Sequence, residues 1–315
     1  MADMKKVATR DSYGNALIAL GKTNDKVIVF DADLAAATKT GVFKKEFPDR
    51  FFDCGIAEAN MMVAAAGTST CGYVPFVSSF AMFVAGRAFE MVRNSIGYPH
   101  LNVKIGATHA GVSVGEDGAT HQCNEDIALM REIPGMVIIN PADDVEAQAA
   151  VHAAAEYYGP VYLRFGRLAA PVFNGEDYKF EIGKGVTLRQ GSDVTIVATG
   201  IVVYEAVLAA EELAKQGISA RVINIHTIKP IDKELLLAAA KETGVIVTAE
   251  EHSIIGGLGS AVLEAISEEC PVPVVRIGVK DEFGHSGKGA ELLVEFGLSA
   301  ENIVKETKRA ITLKK

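Results

Sequence analysis

Cys54-Gly-Ile-Ala-Glu58-Ala-Asn-Met-Met62 is the stretch on which the fold turns. A single carboxylate, Glu58, stands between Gly55 and a run of small apolar residues, Met61–Gly67. That run is apolar on nearly every side at helical spacing, which predicts a helix deep in the fold. Glu58 then falls in its first turn. An acid at that place commonly serves only as a dipole partner or cap. The residues downstream give it company: Phe80-Ala-Met-Phe83, then Thr108-His109, then Gly115-Glu-Asp-Gly-Ala-Thr-His-Gln122.

The chain around this stretch has 315 residues, enough for a large core and more than one domain. Hydrophobic residues make up 49% and charged ones 23%, an ordinary soluble α/β composition. The net charge of −9 argues against a nucleic-acid surface. No apolar run approaches the ~20 residues of a membrane span. Met1-Ala-Asp-Met-Lys-Lys6 lacks a signal-peptide core. The four cysteines, Cys54, Cys71, Cys123 and Cys270, are scattered without a Cys-x-x-Cys and read as reduced thiols. The expected location is cytoplasmic.

Strand and helix signals alternate outward from Glu58. Before it come a helix over Asp11–Leu20 and an apolar strand, Lys26–Phe30, ending in Asp31-Ala-Asp33-Leu34. After it come a strand from Gly72 to Ser79, a helix over Phe80–Ile96, a strand over Asn102–Thr108 and a glycine-rich loop from Ala110 to Ala119. A strand at Met136–Asn140, a helix over Val145–Tyr157 and a strand at Pro160–Phe165 complete the series. Such alternation predicts a mostly parallel sheet covered on both faces. Leu168 to Gln190 reads as an irregular boundary. Beyond it the strands are Val194–Ala198, Ala220–Ile225, Val245–Ala249 and Val272–Ile277. The helices are Tyr204–Gln216, Lys233–Glu242, Leu258–Glu268 and Ala290–Phe296. The expectation is two consecutive α/β domains, residues 1–170 and 190–315. Gly256-Gly-Leu-Gly259, opening a helix, reads as tight helix–sheet packing rather than a nucleotide loop.

Several residues carry chemistry by type and place. Acidic residues at the end of a buried strand, Asp31 and Asp33, are well placed for a site in an α/β sheet. Phe80 and Phe83, three apart, project from nearly the same side of a helix start and suit a flat ring. His109 and His121 flank an acidic glycine-rich loop, which is less ordinary than a lone histidine. Arg10 and Arg167 each read as exposed arginines in surface ion pairs.

Taken in order, these motifs resemble transketolase, a thiamine diphosphate enzyme. The family runs His-x7-Asp-x3-His, and His109, Asp117 and His121 reproduce both spacings. The resemblance implies that Glu58 activates the cofactor's aminopyrimidine. It implies that Phe80, Phe83, Asp33 and Ile56 line the cofactor. It assigns His109 and His121 to donor hydroxyls and proton transfer, Asp117 to a hydroxyl beside the reacting carbon, and Arg10 and Arg167 to a substrate phosphate. Such an acid must be sheltered from water, because burial favours its protonated donor form. The chain departs from the family pattern at Ala57 and Ala59, which replace Arg and His, at Gly86 near a third aromatic position, and at Ala37. Ala37 stands where the family has a phosphate-binding Ser, and Thr38 is the candidate substitute.

The family's Mg²⁺ motif, Gly-Asp-Gly, occurs nowhere in the chain. The resemblance covers nearly all of the sequence but only the second half of the full-length protein. It implies the C-terminal subunit of a split transketolase that moves a two-carbon ketol unit between sugar phosphates. A separate N-terminal subunit would supply the Mg²⁺ and diphosphate contacts in an α2β2 assembly. Alternatives are the C-terminal part of 1-deoxyxylulose-5-phosphate synthase, the β subunit of a 2-oxoacid dehydrogenase, or a non-catalytic assembly chain that keeps the fold. In the family the second domain carries no cofactor chemistry, and Glu250-Glu251-His252 gives no reason to expect otherwise.

Overall fold

Fourteen strands among the described residues account for the apolar runs. The computed structural model describes residues 4–175 and 177–314, so Met1–Asp3 of the segment read for a signal peptide lie outside it. In chain order the strands are β1 (Lys6–Ala8), β2 (Val27–Asp31), β3 (Phe51–Asp53), β4 (Val74–Phe80), β5 (Lys104–Thr108), β6 (Val137–Ile139) and β7 (Val161–Arg164). They continue as β8 (Ala169–Pro171), β9 (Val186–Arg189), β10 (Val194–Ala198), β11 (Ala220–Asn224), β12 (Thr227–Lys229), β13 (Ile246–Ser253) and β14 (Val274–Val279).

A seven-stranded sheet has the order β12-β6-β7-β5-β4-β2-β3, and every pair in it is parallel except β12 with β6. Strands β2, β4, β5 and β7 are buried at each residue, as expected for a parallel sheet covered on both faces. Helices Thr9–Thr23 and Asp144–Glu156 cover one face through Tyr13, Leu17, Ala147 and Val151. Helix Glu58–Thr70 covers the other with Met61, Met62 and Ala65, joined by Val84, Val92 and Ile96. A second sheet, β14-β13-β10-β11-β9, is parallel except at β9 and is sandwiched by its own helices. The two-domain α/β architecture therefore stands. No helix among the described residues is long and apolar enough to cross a membrane.

The structure corrects four expectations. Helix Glu58–Thr70 is not buried all round: Val63 is 46% exposed, and Ala64 and Gly67 are exposed too, because the sheet covers only one side. The expected helix Phe80–Ile96 is broken. Phe80 ends β4, and π-helical turns at Phe83–Arg87 and Val92–Gly97 replace regular helix, with Ala88 N–H bonded back to Phe83 and Tyr98 N–H to Arg93. The boundary segment holds β8 and β9. Helix Ala300–Ile311 was not anticipated, because its few apolar residues are diluted by charge.

The two domains are stitched together. Strand β12, from the second half of the chain, pairs antiparallel with β6 of the first sheet. Deeper in, Arg164 at the end of β7 grips Asp126 at 2.8 and 3.1 Å, and its other contacts reach the carbonyls of Cys123 and Glu251. Tyr162 donates to the same carboxylate at 2.8 Å. Burial pushes the Asp126 carboxyl up, but Arg164, His252 and Tyr162 outweigh it and hold it below the ordinary value. Removing one partner of a buried pair leaves the other charge stranded, so Asp126→Ala should cost about 3–5 kcal/mol. Urea unfolding of the two proteins checks this; an unchanged midpoint would mean the pair contributes nothing.

Candidate active site

Parallel strands bring their carboxyl ends to one edge of the sheet, and a crevice there is where α/β folds place ligands. At this edge β2 delivers Asp31, β3 Asp53, β4 Phe80, β5 Thr108-His109 and β7 Arg164. Glu58 opens the helix that packs on β4 and on the turn carrying Phe83. It is only 2% exposed. Oε2 is buried without a hydrogen-bond partner. The nearest cation is the exposed Arg87, at 3.9 Å. A buried polar atom left open in this way is costly unless something else bonds to it.

Phe80 and Phe83 present parallel rings, with centroids 5.7 Å apart and planes at 16°. The pair forms although Phe80 ends a strand and Phe83 starts a π turn, so the helical spacing expected for them is not its cause. His121 stands edge-on to both rings, at 6.1 and 5.4 Å. His109 stacks on Phe80 at 3.8 Å. Its backbone sits at φ 58°, a left-handed conformation that costs a non-glycine residue about 1–3 kcal/mol.

The protonation of His109 follows from its neighbours. Arg10 Nη1 lies 2.9 Å from Nε2, and an arginine can only donate. Nε2 is therefore the acceptor, and Nδ1 carries the proton it gives to Thr108 Oγ1 at 2.9 Å. Burial, then Arg10, Arg167, His121 and Lys39, push its pKa down to about 3. The ring is neutral at physiological pH, and the cations that hold it so make this corner of the site attractive to an anion.

Arg10 also donates to the carbonyl of Ala37 at 3.2 Å, and its Nε is buried without a partner. Arg167 and Asp117 both act on the charge of Arg10. Arg167 is held by Glu116 at 2.8 Å and by the Val114 carbonyl, as the ion-pair reading of it expects. Asp117 is exposed on the loop tip. Asp33 and Ile56 lie at the rim: Asp33 is exposed with its N–H bonded to Asp53 at 3.0 Å, and Ile56 is 74% exposed. The edge thus brings together Arg10, Phe80, Phe83, His109 and His121 by direct contact. Glu58 joins through the Phe83–Arg87 turn.

Thr38 is not free to replace the missing serine. It is fully buried, and its hydroxyl donates to Asp31 Oδ2 at 2.7 Å, beside Thr40 at 2.8 Å. Burial raises the Asp31 carboxyl to about 6 against those hydrogen bonds. This cluster fixes the loop after β2 and was not found from sequence. Its only signal was an acid followed by two threonines within nine residues. Among the described residues, no group of three or more His, Cys, Asp or Glu is placed to hold a metal ion.

The site matches a known family over almost the whole chain. Residues 5–172 match the family model for the transketolase pyrimidine binding domain, and residues 183–303 that for the transketolase C-terminal domain. A Methanocaldococcus jannaschii protein described as a candidate transketolase C-terminal section is 52% identical over 94% of both chains. A solved structure described as a split gene transketolase, inactive β4 tetramer, is 53% identical with a TM-score of 0.91 and covers 99% of this chain and 100% of that one. Mouse transketolase is 39% identical over 98% of this chain, which spans only 49% of the mouse protein.

The assigned tautomer has a direct check. In ¹⁵N NMR of the imidazoles, His109 should carry its proton on Nδ1 and show no titration between about pH 5 and 8. In Arg10→Ala its pKa should rise, since a positive neighbour has been removed. A wild-type His109 titrating near the ordinary histidine value of about 6.5 would contradict the assignment.

Proposed function

The chain belongs to the transketolase family as its C-terminal section, and from that premise we propose that it transfers a two-carbon ketol unit between sugar phosphates. It does so in complex with a separate N-terminal subunit. The observation that carries the proposal is the open, buried Oε2 of Glu58 beside two parallel phenylalanine rings. A carboxyl waiting for one donor–acceptor partner next to a flat apolar slot suits the aminopyrimidine of thiamine diphosphate. The bound cofactor supplies the nucleophilic carbon and the electron sink needed to cleave a bond beside a ketone.

The chain's own groups then have distinct tasks. Glu58 holds a proton at Oε2 against a ring nitrogen, sheltered from competing water. Phe80 and Phe83 hold the ring plane, and Asp33 and Ile56 border the cofactor at the rim. His121, edge-on to the aromatic pair, lies where a reacting hydroxyl approaches and takes or returns its proton. Neutral His109, protonated at Nδ1, accepts a proton or hydrogen bond at Nε2 once Arg10 turns toward substrate. Asp117 accepts from a hydroxyl. Arg10 and Arg167 bind the phosphate. A site built to bond several hydroxyls rejects sugars that lack them.

The Mg²⁺ ligands belong to the partner in this account, since the chain has no Gly-Asp-Gly. An α2β2 assembly is proposed because related domains pair about two-fold axes. The exposed side of helix Glu58–Thr70, with the apolar Val63, supports such a contact. The free cysteines Cys54, Cys71, Cys123 and Cys270 support a cytoplasmic setting, with pentose phosphate interconversion as the proposed role.

In the assembled enzyme, Glu58→Ala should lower kcat by about 10²–10⁴-fold, the range for loss of a positioned proton donor, with circular dichroism unchanged. Near-normal turnover would remove Glu58 from the chemistry. Arg10→Ala should raise KM for phosphorylated substrates by roughly 10–100-fold, as for loss of a charged hydrogen bond, and leave unphosphorylated ones alone. An equal effect on both would deny it a phosphate role.

A further inference from the structure

The segment between the two histidines is a closed loop. Ala110 bridges Cys123, and Gly111 N–H bonds the Cys123 carbonyl at 2.8 Å, so His109 and His121 straddle its neck. Its body leans on the second domain. Glu251 of β13 is 3% exposed, and its Oε1 accepts the N–H of Ser113 at 2.6 Å. The chain approaches so closely that a Cβ at Gly111, whose φ is 81°, would run into the Glu251 carboxylate. Gln122, next to His121, donates to the loop's own Val112 carbonyl at 3.0 Å and to the His285 carbonyl of the second domain at 2.9 Å. Gly115 and Gly118 sit against the turn that carries Ser286 and Gly287.

The neighbours of Glu251 have other employment. Glu250 accepts the N–H groups of Leu258 and Gly259, at 2.6 and 2.8 Å, and so closes the start of helix Leu258–Ile266. His252 faces Asp126. Arg164 takes the backbone carbonyl of Glu251, not its side chain. The Glu251 carboxylate is thus the acidic side chain that the second domain directs onto the loop's backbone.

We propose that Glu251 is a positioning residue for ketol transfer: by holding Ser113 N–H it fixes the loop that carries His109 and His121, and so sets the grip on the donor sugar. The second domain then acts on substrate without touching it. The inference rests on assigning this loop to the substrate. Misplacement by about 1 Å from a remote change can cost 10²-fold in rate, so a loosened loop has a measurable effect.

The test uses the assembled enzyme, with its N-terminal partner and saturating thiamine diphosphate and Mg²⁺. Glu251→Ala should lower kcat/KM for the ketose phosphate donor by about 10–100-fold. Cofactor affinity should stay within about twofold. Glu251→Gln keeps an oxygen that accepts from Ser113 and should recover most of the loss, which a purely charge-based role would not give. Gln122→Ala, which cuts the second tie, should raise donor KM in the same way. Wild-type kcat/KM in folded Glu251→Ala, or Gln as impaired as Ala, would overturn the proposal. If Glu251→Ala does not assemble, an unchanged donor KM in Gln122→Ala would overturn it. His121→Ala separates the two claims. If it leaves transfer intact, the loop's assignment to substrate is wrong; if it alone impairs transfer, only the positioning role fails.

Discussion

A parallel sheet must end its strands at a common edge, and the site depends on that constraint. Five parallel strands of the larger sheet deliver Asp31, Asp53, Phe80, Thr108 and Arg164 to one rim. Residues far apart in sequence meet there because strand order, not chain order, sets their neighbours. Arg10 reaches His109 across 99 positions, and Glu251 reaches Ser113 across 138. The local chemistry follows from what the rim excludes. Glu58 is kept from water, His109 is kept neutral by burial and surrounding cations, and the aromatic pair keeps the floor apolar.

The same rim is where the domains join. Asp126, Tyr162 and Arg164 form a buried cluster whose arginine reaches the Glu251 backbone, placing the second domain against the loop between His109 and His121. A buried ion pair adds little net stability compared with a well-packed apolar substitute, but it is unforgiving of misplacement. It ties the end of β7 to the strand that carries Glu250, Glu251 and His252. Strand β12 adds a second seam at the far edge of the same sheet.

The sequence made the architecture legible where the signal is local. Alternating apolar runs gave strands such as Val194–Ala198 to the residue, and the glycine cluster at 256–259 was read as packing. It misled where tertiary forces override spacing. Phe80–Ile96 has helical periodicity, yet π turns take it over beside the site. Thr38 has the right chemistry for an anion but spends it on Asp31, a bond across seven residues that no spacing rule predicts. Glu250-Glu251-His252 gives no reason, as sequence, to expect the second domain at the site. It is nearly inaccessible, because β13 runs on to Ser253 and each side chain meets a different partner. Charged residues that close a contact between domains carry no periodic signature, so only the fold reveals them.

The central claim is that this chain supplies half of an active site. The most direct measurement is ketol transfer from xylulose 5-phosphate to ribose 5-phosphate with thiamine diphosphate and Mg²⁺. It is run on the chain alone and on the chain mixed with an N-terminal subunit that bears Gly-Asp-Gly. The account predicts turnover only in the mixture. Turnover by the chain alone, or none in a verified complex, would contradict it.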